Sequence, residues 1–246
     1  MVHYHTYSSW WPYYNDKDEI IISSILTQNT NWKNVVKSLN NIFQEVGSTS
    51  LDRVGELDYE VLKDIINPSG FSKSKAKTIL EVARYINGYG GYRVFKNLMF
   101  SLIRRSKSFK EVIGIVDSYR NELMRVKGIG KETADSILLY SFEVPTFVID
   151  NYTVRIINSL FSKSFRKDRD YEFLRGMFLD CIFGNLRLFL DLGSLVKAWN
   201  YWECSIGSVL ERVVLVLKVL HAGFVEIGKM GLKSSNELID FLCLKF

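Results

Sequence analysis

The chain of 246 residues is poor in the residues that cross-link a fold or bind metals, with three cysteines and three histidines. Cys181, Cys204 and Cys243 lie far apart and form no C-x-x-C pair, which argues against a disulfide framework or a tetrahedral zinc site. His3 and His5 are a near-terminal pair with no further ligand close in sequence. We therefore expect no metal and no cofactor.

Long apolar runs and a strong charge excess are also lacking. The most apolar run, VVLVLKVL at 213–220, is too short to span a bilayer and contains Lys218. The N-terminal MVHYHTYSSWWP lacks a basic segment followed by an apolar core, so we expect no signal peptide. The net charge of +5 permits a polyanionic partner without requiring one. These features predict a soluble cytoplasmic protein with no membrane partner.

Helical periodicity dominates the chain, and strand-like alternation is nearly absent. Apolar residues recur at helical spacing in the segments 19–26, 35–43, 60–66, 73–86, 111–125, 132–142, 151–161, 170–183 and 209–230. Pro68-Ser69-Gly70 separates two of these helices, residues 88–91 form a loop, and the basic stretch 161–169 is interpreted as a solvated loop. The pattern predicts an all-α protein of about ten helices with short connections.

The segment 123–140, LMRVKGIGKETADSILLY, contains the most informative pattern. Two amphipathic stretches, the first ending near Val126, flank a tight K-G-I-G turn, in which glycines permit positive φ and close backbone approach. Free amides beside the following helix N-terminus, together with lysines, favour a phosphate oxygen, while Ile129 turns towards the core. This predicts a helix-hairpin-helix that holds a nucleic-acid backbone without reading its sequence. The expected contacts are Lys127, Gly128, Gly130, Lys131 and Thr133.

An aspartate follows the apolar stretch V-P-T-F-V-I at 144–149 and opens the predicted helix 151–161. Taken alone, Asp150 is best interpreted as a helix N-cap, a role that aspartate performs well. A catalytic role is compatible with capping, because the helix dipole keeps a carboxylate at that end ionised.

Together these motifs resemble the endonuclease III superfamily of DNA glycosylases. G-I-G-K-E-T-A-D followed by V-P-T-F-V-I-D is similar to the family's hairpin, Gly/Pro-rich loop and catalytic aspartate. L-T-Q-N-T at 26–30 resembles a helix whose glutamine, here Gln28, fills the gap left by a flipped base. Residues 68–76 resemble the next DNA-facing loop, with Ser72 and Lys75 as expected DNA contacts, and residues 221–229 match the family's H-A-x-x-V-E-x-G-K helix.

The resemblance implies two helical lobes with the active cleft between them. One lobe would comprise residues 19–135 and end in the hairpin, and the other would comprise 1–18 plus 136–246 and contain the catalytic Asp150. The implied partner is double-stranded DNA with a damaged base, bound by a monomer, and the protein would be nucleoid-associated if prokaryotic. His221 is interpreted as structural or DNA-contacting and not as a metal ligand.

Two departures from the family pattern narrow the implied chemistry. The lysine that forms a Schiff base in bifunctional members aligns with Glu132, and a carboxylate cannot form an imine. Water would then be the nucleophile, and no β-lyase activity is expected. The family also often ends in four cysteines that hold an iron–sulfur cluster, but the tail after Lys229 contains only Cys243.

The segment Trp10-Trp11-Pro12 is a candidate base pocket. Without the family resemblance, these residues would be interpreted as ordinary aromatic packing. Within the resemblance, W-W-P and the aromatic Trp32 after L-T-Q-N-T look like the 3-methyladenine DNA glycosylase branch, where a methylated purine stacks between such side chains. Trp32 stands where that branch has phenylalanine, and Lys229 matches the family's lysine.

Three hypotheses follow. The leading one is a monofunctional glycosylase that excises alkylated purines, 3-methyladenine above all, in base excision repair. A second is a glycosylase for uracil, thymine mismatches or oxidised bases, with AP-lyase activity from Lys131. The third is a non-catalytic protein that binds damaged DNA.

Overall fold

The structure, a computed structural model, describes residues 17–188 and 209–230, which contain helices and no β-strand. This confirms the all-α prediction. The helices are α1 (Glu19–Leu26), α2 (Trp32–Val46), α3 (Leu51–Gly55), α4 (Tyr59–Ile65), α5 (Ser72–Asn87), α6 (Tyr92–Arg105), α7 (Phe109–Leu123), α8 (Lys131–Ser136), α9 (Asn151–Phe161), α10 (Lys167–Gly184) and α11 (Val209–Lys229). A 3₁₀ turn spans Asn67–Ser69 and a π-helical turn spans Ile137–Phe142. No helix within the described ranges is both long and apolar enough to cross a membrane.

Packing divides the chain into two compact units, the first ending at Pro145 and the second beginning at Thr146. The predicted lobes divide instead at residue 135 and assign residues 1–18 to the second lobe. Most of that N-terminal segment, residues 1–16, lies outside the described residues. The pairing of the two chain ends in one lobe and the cleft between the lobes therefore stay predictions.

The first unit is built around α1, whose eight residues are all buried. A helix that is buried on every side lies at the centre of its unit, and here it buries three polar residues, Glu19, Ser23 and Ser24, along with the apolar ones. Asp18 caps its N-terminus, and Asn31 caps α2 by accepting from Asn34 N at 3.0 Å. Because α1 is fixed in the core, residues 27–30 emerge from its C-terminal end at a defined position.

In the second unit, α9 packs directly against α11. A Cβ added to Gly228 would lie 2.4 Å from Tyr152 Cδ1, so only glycine lets the two helices approach this closely. The Arg155 guanidinium also donates to the Gly228 carbonyl. This contact fixes α11 against the helix that begins after Asp150.

Helix α6 was not predicted from the periodicity. Val94, Leu98 and Leu102 are each more than 40% exposed, whereas Phe95 and Met99 are fully buried. Apolar residues on both faces obscure the amphipathic pattern on which the prediction depended. The loop predicted over 161–169 is also shorter than expected, because α10 already begins at Lys167.

Candidate DNA-binding hairpin and carboxylate site

The predicted hairpin is present, with α7 ending at Leu123 and α8 beginning at Lys131. Gly128 has a φ of +95°, and a Cβ there would lie 2.1 Å from Thr78 Oγ1. Gly130 differs from the expectation, because its φ of −95° and ψ of 179° are ordinary extended backbone with nothing within 4 Å of a built Cβ. Only Gly128 therefore requires glycine for its conformation and its close approach to α5.

A buried ion pair joins the two helices of the hairpin. Arg120 Nε on α7 lies 3.0 Å from both carboxylate oxygens of Asp135 on α8, and both side chains are almost fully buried. Ile129 at the tip turns inward and is 5% exposed, as predicted. The turn between the helices is therefore held rigidly, while Lys127, Gly128, Gly130 and Lys131 remain exposed as phosphate binding would require.

Gln28 is hydrogen-bonded to the hairpin. Its Nε2 donates to the Gly128 carbonyl and to Thr133 Oγ1, each at 2.9 Å. The structure thus brings Gln28 and Thr133 together, but Thr133 is buried and its hydroxyl oxygen accepts from Gln28. The prediction that Thr133 contacts phosphate directly is therefore corrected to a role in fixing Gln28 against the turn. The gap-filling role of Gln28 stays a prediction, and it would break these two hydrogen bonds.

Two exposed side chains, in the segments before α2 and α5, were missed by sequence reasoning. Asn29 and Phe71 both have a positive φ, of 52° and 49°, and Phe71 is 69% exposed. Asn29 follows Gln28, and Phe71 precedes α5, whose Thr78 donates to the Lys127 carbonyl at 3.0 Å. Ser72, the first residue of α5, is half-buried beside it. An exposed aromatic side chain on strained backbone is the signal that points to a contact surface here.

Lys75 is not available for DNA contact, contrary to prediction. Its side chain is buried, and Nζ donates to the carbonyls of Leu26 at 2.7 Å and Ser69 at 2.8 Å. Burial lowers the pKa of the Lys75 ammonium from about 10.5 to about 8. Lys75 therefore ties the end of α1 to the 3₁₀ turn before α5, and it was misassigned because lysine is usually exposed.

This burial predicts a specific pH dependence of stability. Below pH 8 the ammonium is charged in both states, and the folded protein bears the full cost of burying it. Between about pH 8 and 10.5 the unfolded chain binds more protons at this site, so wild-type stability rises with pH relative to Lys75→Met. Urea unfolding of both proteins across this range measures the difference.

Lys73→Met is the matched control, because Lys73 is exposed on the same helix. It should follow the wild-type pH profile. A Lys75→Met profile parallel to wild type would contradict the buried, pKa-shifted ammonium.

Asp150 caps α9 as predicted. Its Oδ1 accepts from Thr153 N at 2.7 Å, while the side chain as a whole stays 15% exposed. Asp150 Oδ2 lies 3.8 Å from Nε2 of the buried His221 on α11. One oxygen of the carboxylate thus serves the cap, and the other is directed towards an imidazole 71 residues away in sequence.

The segment before Asp150 is anchored by α10. Arg175 Nε donates to Thr146 Oγ1 at 2.8 Å, and Ile149 N donates to the Tyr171 hydroxyl at 3.4 Å. Phe147, which is fully buried, stacks on Phe178 with ring centroids 4.0 Å apart. Because these contacts anchor the preceding segment and its side chains are buried, the Asp150 carboxylate is positioned with little freedom.

The predicted base pocket is described only in part. Trp10, Trp11 and Pro12 lie outside the described residues. Trp32 is the half-buried first residue of α2. Lys229 is exposed at the end of α11, where its ammonium lies 2.7 Å from Glu226 Oε1. It is eight residues beyond His221, or roughly 12 Å along the helix axis, so its pocket role stays a prediction.

The donor set for an iron–sulfur cluster is incomplete in this chain. Such a cluster needs four thiolates, and the chain has three cysteines in all. Cys181 is exposed on α10, and the described ranges contain no group of three His, Cys, Asp or Glu side chains arranged to hold a metal ion. The residues present do not fit the cluster.

Comparison with known proteins agrees with the hairpin and the carboxylate site described above. A protein of Methanocaldococcus jannaschii named as a DNA repair glycosylase is 35% identical over 161 residues, which cover 65% of this chain and 66% of that protein. Endonuclease III of Thermotoga maritima is 30% identical over 146 residues, covering 59% and 57% of the two chains. The alignments thus span between about half and two thirds of these relatives.

The fold matches that of a solved structure. The 3-methyladenine DNA glycosylase of H. pylori, bound to 1,N6-ethenoadenine, superposes with a TM-score of 0.68 at 24% identity, over 91% of this chain and 90% of that one. Residues 22–174, which include the hairpin and Asp150, match the HhH-GPD superfamily of base excision DNA repair proteins. The chain belongs to this superfamily.

Proposed function

We propose that this protein is a monofunctional DNA glycosylase that hydrolyses the N-glycosidic bond of alkylated purines, with 3-methyladenine as the main substrate. The observation that carries the proposal is the Asp150 carboxylate, partly exposed at the N-terminus of α9 in a chain of this superfamily. Its capping bond to Thr153 N and its position beside His221 hold the charge in one place.

This arrangement suits a reaction with a cationic transition state. Alkylation at N3 or N7 makes the purine positively charged, so the base leaves neutral with the bonding electron pair when the C1′–N bond breaks. The sugar becomes an oxocarbenium ion, which the Asp150 carboxylate stabilises. Water adds at C1′ and transfers its proton to the carboxylate, giving an abasic site and the free base.

The absence of a lyase step follows from Glu132. This residue lies in the first turn of α8, where the resembled bifunctional enzymes have the lysine that attacks the sugar. A carboxylate cannot form a Schiff base, so the strand remains intact after base release. Lys131, exposed at the preceding position, is the amine on which a competing lyase reaction would depend.

The choice of base depends on two supports. The H. pylori structure with the same fold is of a 3-methyladenine DNA glycosylase. The aromatic residues Trp10, Trp11 and Trp32 offer faces that attract a cationic purine by roughly 0.5–2 kcal/mol. A damaged base also costs less to extrude from the duplex, which favours its capture.

The test is incubation with DNA methylated by a simple alkylating agent, followed by chromatography of the free bases. We expect release of 3-methyladenine, an intact strand with an abasic site, and no protein–DNA adduct after borohydride reduction. A borohydride-trapped adduct on abasic or oxidised DNA would instead favour the lyase hypothesis. Binding to damaged DNA without release of any base would favour the non-catalytic one.

A further inference from the structure

A buried imidazole lies beside the proposed catalytic carboxylate. His221 Nε2 on α11 is 3.8 Å from Asp150 Oδ2, and the His221 side chain is 4% exposed. The other oxygen, Oδ1, is already held by Thr153 N at 2.7 Å. The carboxylate is therefore bounded by α9 on one oxygen and by α11 on the other.

The orientation of the His221 ring is constrained by an apolar wall. Phe147 meets the ring edge-on, with centroids 6.1 Å apart and an interplanar angle of 90°. Phe147 in turn stacks on Phe178 and contacts Phe224, and Phe178 and Phe224 also contact each other. A ring packed on such a wall has little freedom to change rotamer, so its nitrogen stays directed towards Asp150.

The charge of this ring is set by its surroundings. Burial lowers the pKa of His221, and the negative charge of Asp150 acts in the opposite direction. Other ionisable groups on these helices include Arg155 and Tyr152 on α9, Arg175 and Tyr171 on α10, and Lys218 and Glu226 on α11. Burial is the larger of the two effects, so the neutral form of the imidazole is favoured.

A neutral ring has a consequence for Asp150. At 3.8 Å the Nε2–Oδ2 distance is too long for a hydrogen bond, so the neutral ring restricts the position of Oδ2 by packing beside it. It does so without cancelling the negative charge that stabilises an oxocarbenium ion. On acidification the imidazolium would instead form an ion pair with the carboxylate and remove that charge from the reaction.

We propose that His221 is a positioning residue for Asp150, which orients the carboxylate when neutral and inactivates it when protonated. The inference depends on the proposed function for its effect on catalysis. The coupling between the two side chains does not depend on it and is measured separately.

The first experiment measures that coupling directly. In protein labelled with ¹⁵N-histidine, the ring signals of His3, His5 and His221 are followed by NMR during a pH titration. The midpoint of His221 should be lower in Asp150→Asn than in wild type, because the carboxylate charge that favours protonation is gone. A His221 signal that titrates identically in both proteins, or in neither, overturns the proposal.

The second experiment uses base release with His221→Leu and His221→Gln. Leucine should lower kcat about tenfold with KM unchanged, since the planar polar ring that restricts the position of Oδ2 is lost. Glutamine, a neutral donor that cannot be protonated, should retain most of kcat at pH 7.5 and extend activity to lower pH than wild type.

If both variants have the wild-type kcat and the same fall of kcat at low pH (the acid limb of the pH–rate profile), His221 only fills space. If His221→Leu does not fold, the acid limb of His221→Gln decides alone, and an unshifted limb overturns the proposal. Failure of the wild-type protein to release any base would reject the proposed function and leave the NMR coupling standing as a separate result.

Discussion

Replacing Asp150 by asparagine is expected to lower the rate of base release by roughly 10²–10⁴-fold, the range typical for loss of a positioned acid–base group. The amide is neutral, so it neither stabilises an oxocarbenium ion nor accepts a proton from water. Single-turnover release of 3-methyladenine from methylated DNA measures the loss, and damaged-DNA affinity should change little.

The free energy of unfolding of the variants distinguishes this loss of activity from a loss of folded protein. Asparagine caps helices as well as aspartate does, so Asp150→Asn should keep the bond from Thr153 N and the wild-type free energy of unfolding. Asp150→Ala should in addition lose about 1 kcal/mol with the cap.

The matched control is Asp58→Asn, because Asp58 caps α4 through Glu60 N at 2.8 Å. It should have wild-type activity. Equal activity of Asp150→Asn and Asp58→Asn would remove Asp150 from the chemistry and favour a capping role alone.

Replacing Gly128 by serine is expected to destabilise the protein by about 1–3 kcal/mol from the backbone conformation alone. The φ of +95° disfavours any side chain, and the new Cβ would lie 2.1 Å from the Thr78 hydroxyl oxygen. Urea unfolding measures the stability. Because the hairpin must shift to relieve this overlap, the affinity for duplex DNA should also fall, by about tenfold or more, if the Gly128 amide binds phosphate.

Gly130→Ser makes the same chemical change two residues later. Gly130 has a negative φ, no atom within 4 Å of a built Cβ, and the N-cap position of α8, where serine is favoured. Its unfolding free energy should stay within about 0.5 kcal/mol of wild type. A Gly128→Ser protein as stable as Gly130→Ser would contradict the close approach to α5.

Local features of the fold could be predicted well. The apolar spacing of Ile20, Ile25 and Leu26, the K-G-I-G turn and the capping position of Asp150 all depend on residues within one or two helical turns of each other. Interactions at that range are visible in the order of residues, because helical geometry repeats every 3.6 residues. Helix α6 was not predicted, because apolar side chains occupy both its buried and its exposed face.

Assignments that depend on which segments meet were less reliable. Lysine at position 75 suggested a DNA contact, yet its ammonium is satisfied by two carbonyls inside the first unit. Gln28 was identified as a functional position, but its partners Gly128 and Thr133 lie 100 and 105 residues away. A periodic pattern of residues does not indicate contacts between residues so far apart in sequence.

The all-α fold, the hairpin with glycine at position 128 and the aspartate at the start of a helix all follow from the order of residues. The burial of Lys75, the contact of Gln28 with the hairpin and the position of His221 beside Asp150 follow from how the helices pack. The physical reason is that propensity and capping act within a segment, whereas burial and the charge state of a side chain depend on the distant residues that pack around it.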